Sequence, residues 1–184
     1  HGINGRGTFM MTKAALPHLR KANNPHVLNM SPPLDLDPRW FKIGGVAYTM
    51  AKYNMSMCAV GMAEEFSGEV AFNCLWPRTA IATAAVQMLG GSFGMNASRT
   101  VDIMSDSAHW ILTQDGPEVT GRCFVDEEVA TLRLGRSAEE MARYSPITVD
   151  LTKGESGQYT VKPNLNREAS PSSVIGRASD NIYV

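Results

Sequence analysis

Helix and strand signals alternate along this chain, and the alternation predicts an α/β fold built on a parallel sheet. Three short apolar runs, at 26–30, 70–75 and 121–125, read as strands. Segments of helical period, at 8–21, 46–66 and 101–112, precede them in turn. Each strand–helix–strand unit is expected to cross over right-handedly.

The elements follow in order. Residues 8–21 carry Phe9, Met10, Ala14, Leu16 and Leu19 and close on Arg20 and Lys21, cations where the helix dipole favours them. Pro17 inside this helix predicts a kink or an early stop. Asn23-Asn24-Pro25 reads as a turn, and 26–30 as a buried strand. Residues 31–45 read as a loop, marked by Pro32, Pro33, Pro38 and the Gly44-Gly45 pair. Residues 46–66 form a long helix rich in Ala and Met, ending before Gly68, a suitable C-cap. After the second strand, 77–94 is a Gly- and Ala-containing segment with a short helix near 84–89. From about residue 145, Ser, Thr, Asn, Gly and Pro dominate without a sustained period. The expected organisation is therefore one folded portion at 1–144 and a polar, poorly ordered tail at 145–184.

Composition narrows the function. The 184 residues suffice for one domain with a proper core, and 43% hydrophobic with 19% charged residues describes an ordinary soluble globular protein. A net charge of -1 gives no field directed at nucleic acid or anionic lipid. No apolar run reaches the roughly 18–20 residues of a membrane span. Cys58, Cys74 and Cys123 form no C-x-x-C pair and read as buried thiols in a reducing, intracellular compartment. His18, His26 and His109 lack metal-like spacing, so no metal is expected. The first residue is His1, which reads as a piece of something longer or a start partway along.

The chemically informative pair is Tyr48 and Lys52, four residues apart and so on one helical face. A cation beside a phenol favours the phenolate, by on the order of 4 kcal/mol at about 4 Å and an effective dielectric near 20, before desolvation. Such a tyrosine exchanges protons with a carbonyl or an alcohol near neutral pH. Y-x-x-x-K alone is weak, and an amphipathic helix with a surface lysine is its plain alternative.

Further motifs give it weight. Ile3-Asn4-Gly5-Arg6-Gly7-Thr8-Phe9 opens the first helix, His26–Ser31 ends the first strand, and Asn73-Cys74-Leu75-Trp76-Pro77 closes the second. Thr120-Gly121 and Val125-Asp126 bracket the third. In this order, over roughly residues 1–130, they resemble the C-terminal two-thirds of a short-chain dehydrogenase/reductase. Ser31-Pro32-Pro33-Leu34, Trp40-Phe41-Lys42, Gly61–Phe66 and Trp76–Ile81 look like that family's hydroxysteroid dehydrogenase-like group.

The resemblance implies a Rossmann-like, doubly wound, three-layer sheet with its N-terminal strands missing. It implies an NAD(P)-dependent oxidoreductase that interconverts a carbonyl and a secondary alcohol on a small, lipid or steroid-like molecule, with NADP or NAD as cofactor. Tyr48 would be the acid/base, Lys52 would lower the Tyr48 pKa and bind the nicotinamide ribose, and Ser31 would donate to the substrate oxygen. Asn4 would hold a relay water, although Asn also suits a helix N-cap. Pro77, Ile81 and Thr83 would lie along the nicotinamide carboxamide. The resemblance implies a homo-oligomer through the two long helices bearing Asn4 and Tyr48, and a cytoplasmic, peroxisomal or mitochondrial-matrix location. Met50, Met55, Met57 and Met62 read as helix core or dimer packing.

Three departures stand out. Pro32 occupies the position where the family commonly has its second, catalytic serine. Pro77-Arg78 replaces the usual Pro-Gly. The Gly-rich turn that cradles a pyrophosphate has no counterpart before Asn4, and Gly90-Gly91-Ser92-Phe93-Gly94 lies in the wrong place for it. The alternative expectation is a truncated, non-catalytic protein that keeps only the helix surfaces for pairing.

Overall fold

The computed structural model describes residues 1–145, 147–153 and 159–163. They divide into two compact bodies, one of residues 1–76 and 106–129, the other of 77–105 and 130 onward.

The first body is built on a parallel sheet. Strands β1 (His26–Met30), β2 (Ala71–Trp76) and β3 (Cys123–Val125) lie in the order β1-β2-β3. The register runs from His26↔Ala71 to Met30↔Leu75, and from Cys74↔Cys123 to Trp76↔Val125. Every residue of β2 is buried, as expected of a strand covered on both faces. The three strands and the parallel α/β arrangement are those the sequence predicts, each within two residues.

Two helices flank β1 in sequence. Helix α1 spans Gly7–Leu19 and ends two residues past Pro17, the early stop that proline predicts. Helix α2 spans Pro38–Glu65, longer than expected because 38–44 is helical rather than loop. The reason is local: Asp37 accepts a hydrogen bond from the Arg39 N–H at 2.9 Å, and Pro38 occupies the first turn, where its missing N–H costs nothing. Gly45, at φ 72° and ψ 160°, breaks the path between the two helical pieces. That backbone conformation is essentially open to glycine alone. The helices meet the sheet through Leu16 of α1 and Met62 and Ala63 of α2, which close on Val70 and the fully buried Phe72. Burying a side chain such as Phe72 contributes roughly 1.5–3 kcal/mol. Phe66 adds a tilted ring contact to Phe72 at 6.0 Å.

A wider turn over Gly2–Arg6, with π-type hydrogen bonding, precedes α1. Gly5 is buried there, and a Cβ on it would stand 2.6 Å from the Asn54 side chain of α2. We expect Gly5→Ala to cost about 1–3 kcal/mol through overpacking, read as a lowered urea midpoint. An unchanged midpoint would show that Asn54 simply moves aside.

In the second body, α3 (Ala84–Asn96) extends past the short helix expected at 84–89, continuing after a glycine-permitted break at Gly91 (φ 54°). Helix α4 (Asp102–Leu112) begins in this body and matches the helix expected at 101–112. Helix α5 (Ala138–Met141) starts with a capping box between Ser137 and Glu140. Ile103, Ala130 and Tyr144 form a small core, with Ile81 packed against it.

Strands β4 (Ile147–Lys153) and β5 (Tyr159–Pro163) pair antiparallel. Ile147-Thr148-Val149-Asp150-Leu151 alternates with the period of a strand, a signal that the Ser- and Pro-rich composition around it outweighed. The rest of the 145–184 tail, and the disorder expected of it, lie outside the described residues. Among the described residues no helix is long and apolar enough to cross a membrane.

Candidate active site

Tyr48 and Lys52 both lie on α2, and both are half-buried. Among the described residues the Tyr48 hydroxyl has no hydrogen-bond partner. Its ring packs tightly over Gly44: a Cβ there would fall 2.9 Å from Tyr48 Cδ1. Burial pushes the Tyr48 phenol above its ordinary pKa.

Lys52 reaches back to the ends of the strands. Its Nζ donates to the Met30 carbonyl at 3.0 Å and stands 5.5 Å from the centroid of the Trp76 ring. Burial lowers its pKa. The expected lowering of the Tyr48 pKa by Lys52 is therefore not seen. The ammonium is committed to the end of β1 and to an aromatic face, and desolvation alone sets the direction at Tyr48. The phenol stays protonated through neutral pH, which suits a proton donor.

These directions have a consequence for stability. For Tyr48 the folded pKa lies above the unfolded value of about 10, so the protonated phenol favours the fold below that pH. The contribution is lost as pH rises from there toward the raised folded value. We expect the stability of Tyr48→Phe relative to the parent to improve above pH 10, compared with neutrality, in urea unfolding at each pH. A pH-independent difference would contradict burial as the cause.

Ser31 follows directly on β1. Its side chain is fully buried, its Oγ has no hydrogen-bond partner in ordinary geometry, and it lies beside the Cys74 thiol rather than at an open surface. Cys74 stands opposite Cys123 in the sheet register, and the neighbouring thiol draws the Cys74 pKa below that of an ordinary thiol. Ser31 as placed points into the interior. The reason is the tethering of the loop that follows it: Ser56 Oγ donates to the Pro32 carbonyl at 2.6 Å, and the Tyr53 hydroxyl donates to the Asp35 carbonyl. Trp40 Nε1 donates to Asp35 Oδ2 at 2.8 Å.

Asn4 sits inside the π-type turn, half-buried, so it is not the N-cap of α1; that position falls to Arg6. Wide turns of this kind occur often at functional sites.

Pro77, Ile81 and Thr83 belong to the second body. Ile81 pairs with Arg99 in a short parallel bridge, in which Ala82 N–H donates to the Arg99 carbonyl and Arg99 N–H to the Ala80 carbonyl. The N–H and C=O of Ile81 itself take no part in the bridge. The exposed Thr83 hydroxyl caps α3, accepting from the Val86 N–H at 3.4 Å.

The structure thus gathers Tyr48, Lys52 and the strand ends in one body. The residue missed by the sequence reading is Trp76, which entered only within two motif stretches, Asn73–Pro77 and Trp76–Ile81, with no role of its own. An aromatic residue closing a buried central strand was the available signal.

A phenol held protonated and an ammonium, both half-buried in one body, can donate a proton and hold a polar ligand. This donor set fits a sugar hydroxyl and a carbonyl oxygen.

No family model matches the chain. It is 55% identical over 128 residues to hydroxysteroid dehydrogenase-like protein 2 of Danio rerio, covering 70% of this chain and 30% of that protein. The chain therefore spans about a third of the length of the curated relatives it matches. Among solved structures it resembles a short chain dehydrogenase of Mycobacterium thermoresistibile, with 42% identity and TM-score 0.66 over 73% of this chain and 48% of that one. It also resembles a protein of Xanthomonas campestris described as a dehydrogenase, with 38% identity and TM-score 0.69 over 91% and 57%. The fold shared with these structures is Rossmann-like α/β.

Proposed function

Because the chain belongs to the short-chain dehydrogenase/reductase family, an oxidoreductase family, we propose that it contributes the acid/base half of a carbonyl reductase site. The observation that carries this reading is the half-buried Tyr48 phenol, raised in pKa and sharing one helix with the Lys52 ammonium. Tyr48 Oη gives its proton to the substrate oxygen as that oxygen gains charge, completing an alcohol. A nicotinamide dinucleotide, NADP or NAD, supplies the hydride when bound. An ammonium has three donors. In Lys52 one goes to Met30, one side meets Trp76, and the remainder serves a ribose hydroxyl. Asn4 holds a water that returns protons toward Lys52. Pro77, the backbone of Ile81 and the Thr83 hydroxyl flank the carboxamide. Ser31 takes part only if its side chain turns away from Cys74.

The substrate class is a secondary alcohol or ketone on a lipid or steroid-like body, in keeping with the names of the curated relatives. The test is nicotinamide oxidation with a panel of ketones, in a polypeptide that joins residues 1–184 to a pyrophosphate-binding turn. Ketone-dependent turnover with either nucleotide is the expected result. Nucleotide binding without turnover on any ketone would overturn the acid/base role.

A second reading, pairing through helix surfaces without chemistry, draws on exposed apolar side chains: Met10 and Met11 on α1, and Met50, Met57 and Val60 on α2. Self-association through these helices is compatible with the enzyme reading. It becomes the alternative only if catalysis is absent.

A further inference from the structure

We propose that Trp76 is a positioning residue: its indole face, together with the Met30 carbonyl, fixes where the Lys52 ammonium stands at the C-terminal edge of the sheet. The inference rests on the role given to Lys52 above. Lys52 is a long, flexible side chain that loses much rotamer freedom if it is held in one place. Two contacts hold it. The 3.0 Å hydrogen bond to Met30 fixes a single N–H and leaves the amine free to swing about that bond. The Trp76 ring, 5.5 Å from Nζ, supplies the second constraint. Met30 pairs with Leu75 in the sheet, so Trp76 stands one residue beyond Met30's partner, on the adjacent strand. Lys52 therefore bridges the last residues of two neighbouring strands. A cation so close to an aromatic face is attracted by the ring quadrupole, more strongly once desolvated, and Lys52 is half-buried. Trp76 is itself only 8% exposed, so its ring cannot drift from the site.

The experiment is a carbon–proton NMR spectrum of the full chain labelled with 13C-lysine, the Lys52 signals being assigned by Lys52→Arg. The Lys52 Cε protons should lie upfield of those of the other lysines, displaced by the indole ring current. Trp76→Phe should keep part of that displacement, and Trp76→Leu should abolish it. The Lys52 titration midpoint should fall further in Trp76→Leu, because the ring's attraction for the charged form is gone. Lys52 signals at the shifts of surface lysines in the unmodified chain would overturn the proposal. So would a displacement or titration midpoint unchanged in both variants. Should Trp76→Leu fail to fold, the parent spectrum and Trp76→Phe decide the matter. None of these readouts needs turnover. A displaced Lys52 in a protein that never reduces a ketone would sink the enzymatic reading and leave the positioning role standing.

Discussion

Replacing Tyr48 by phenylalanine should leave the protein folded and nearly as stable, yet remove most ketone reduction. The ring keeps its packing against Gly44, and the hydroxyl that is lost has no hydrogen-bond partner among the described residues. A change confined to such a group stays within about 0.5 kcal/mol near neutral pH. The chemical cost is different in kind. A positioned general acid contributes roughly 10²–10⁴ in rate, and no neighbouring donor replaces it: Lys52 is held at Met30 and Trp76, and Ser31 faces Cys74. We expect kcat to fall by about that factor, with nucleotide binding unchanged. A drop confined to KM would mean that Tyr48 binds substrate without moving a proton.

Phe72→Ala should be the most damaging core change, at about 3–5 kcal/mol. Phe72 is wholly buried near the start of the middle strand, where Leu16 from α1 and Met62 and Ala63 from α2 converge. Deleting the ring removes apolar burial and leaves a cavity beneath the helix that carries Tyr48 and Lys52. Native domains hold only about 5–15 kcal/mol in total, so the variant should lie near its unfolding midpoint in water. Urea unfolding with a constant slope measures the loss. A cost below about 1 kcal/mol would show that neighbouring side chains refill the space.

The fold was readable wherever one local signal dominated. The runs His26–Met30 and Ala71–Trp76 are short and apolar, and they became parallel strands. Residues 38–44 were missed because three prolines and two glycines read as loop, whereas the Asp37 cap and Pro38 in the first turn start a helix before Gly45 breaks it. The site was legible in its membership and less so in its arrangement. Spacing alone puts Tyr48 and Lys52 on one helix face. Where the ammonium goes depends on a carbonyl 22 residues away and an aromatic ring on another strand, contacts set by tertiary packing. Ser31 illustrates the same limit. Its place at the end of β1 follows from sequence, but its inward orientation depends on Cys74 and on the tether from Ser56 to the Pro32 carbonyl.

The most direct measurement follows a deuterium atom from the reduced nicotinamide ring into a ketone, read by mass spectrometry of the alcohol. Residues 1–184 should be joined to a pyrophosphate-binding turn for this purpose. Label is expected in the alcohol with Tyr48 present, and little alcohol of any kind with Tyr48→Phe. Labelled alcohol formed equally well without the hydroxyl would contradict it.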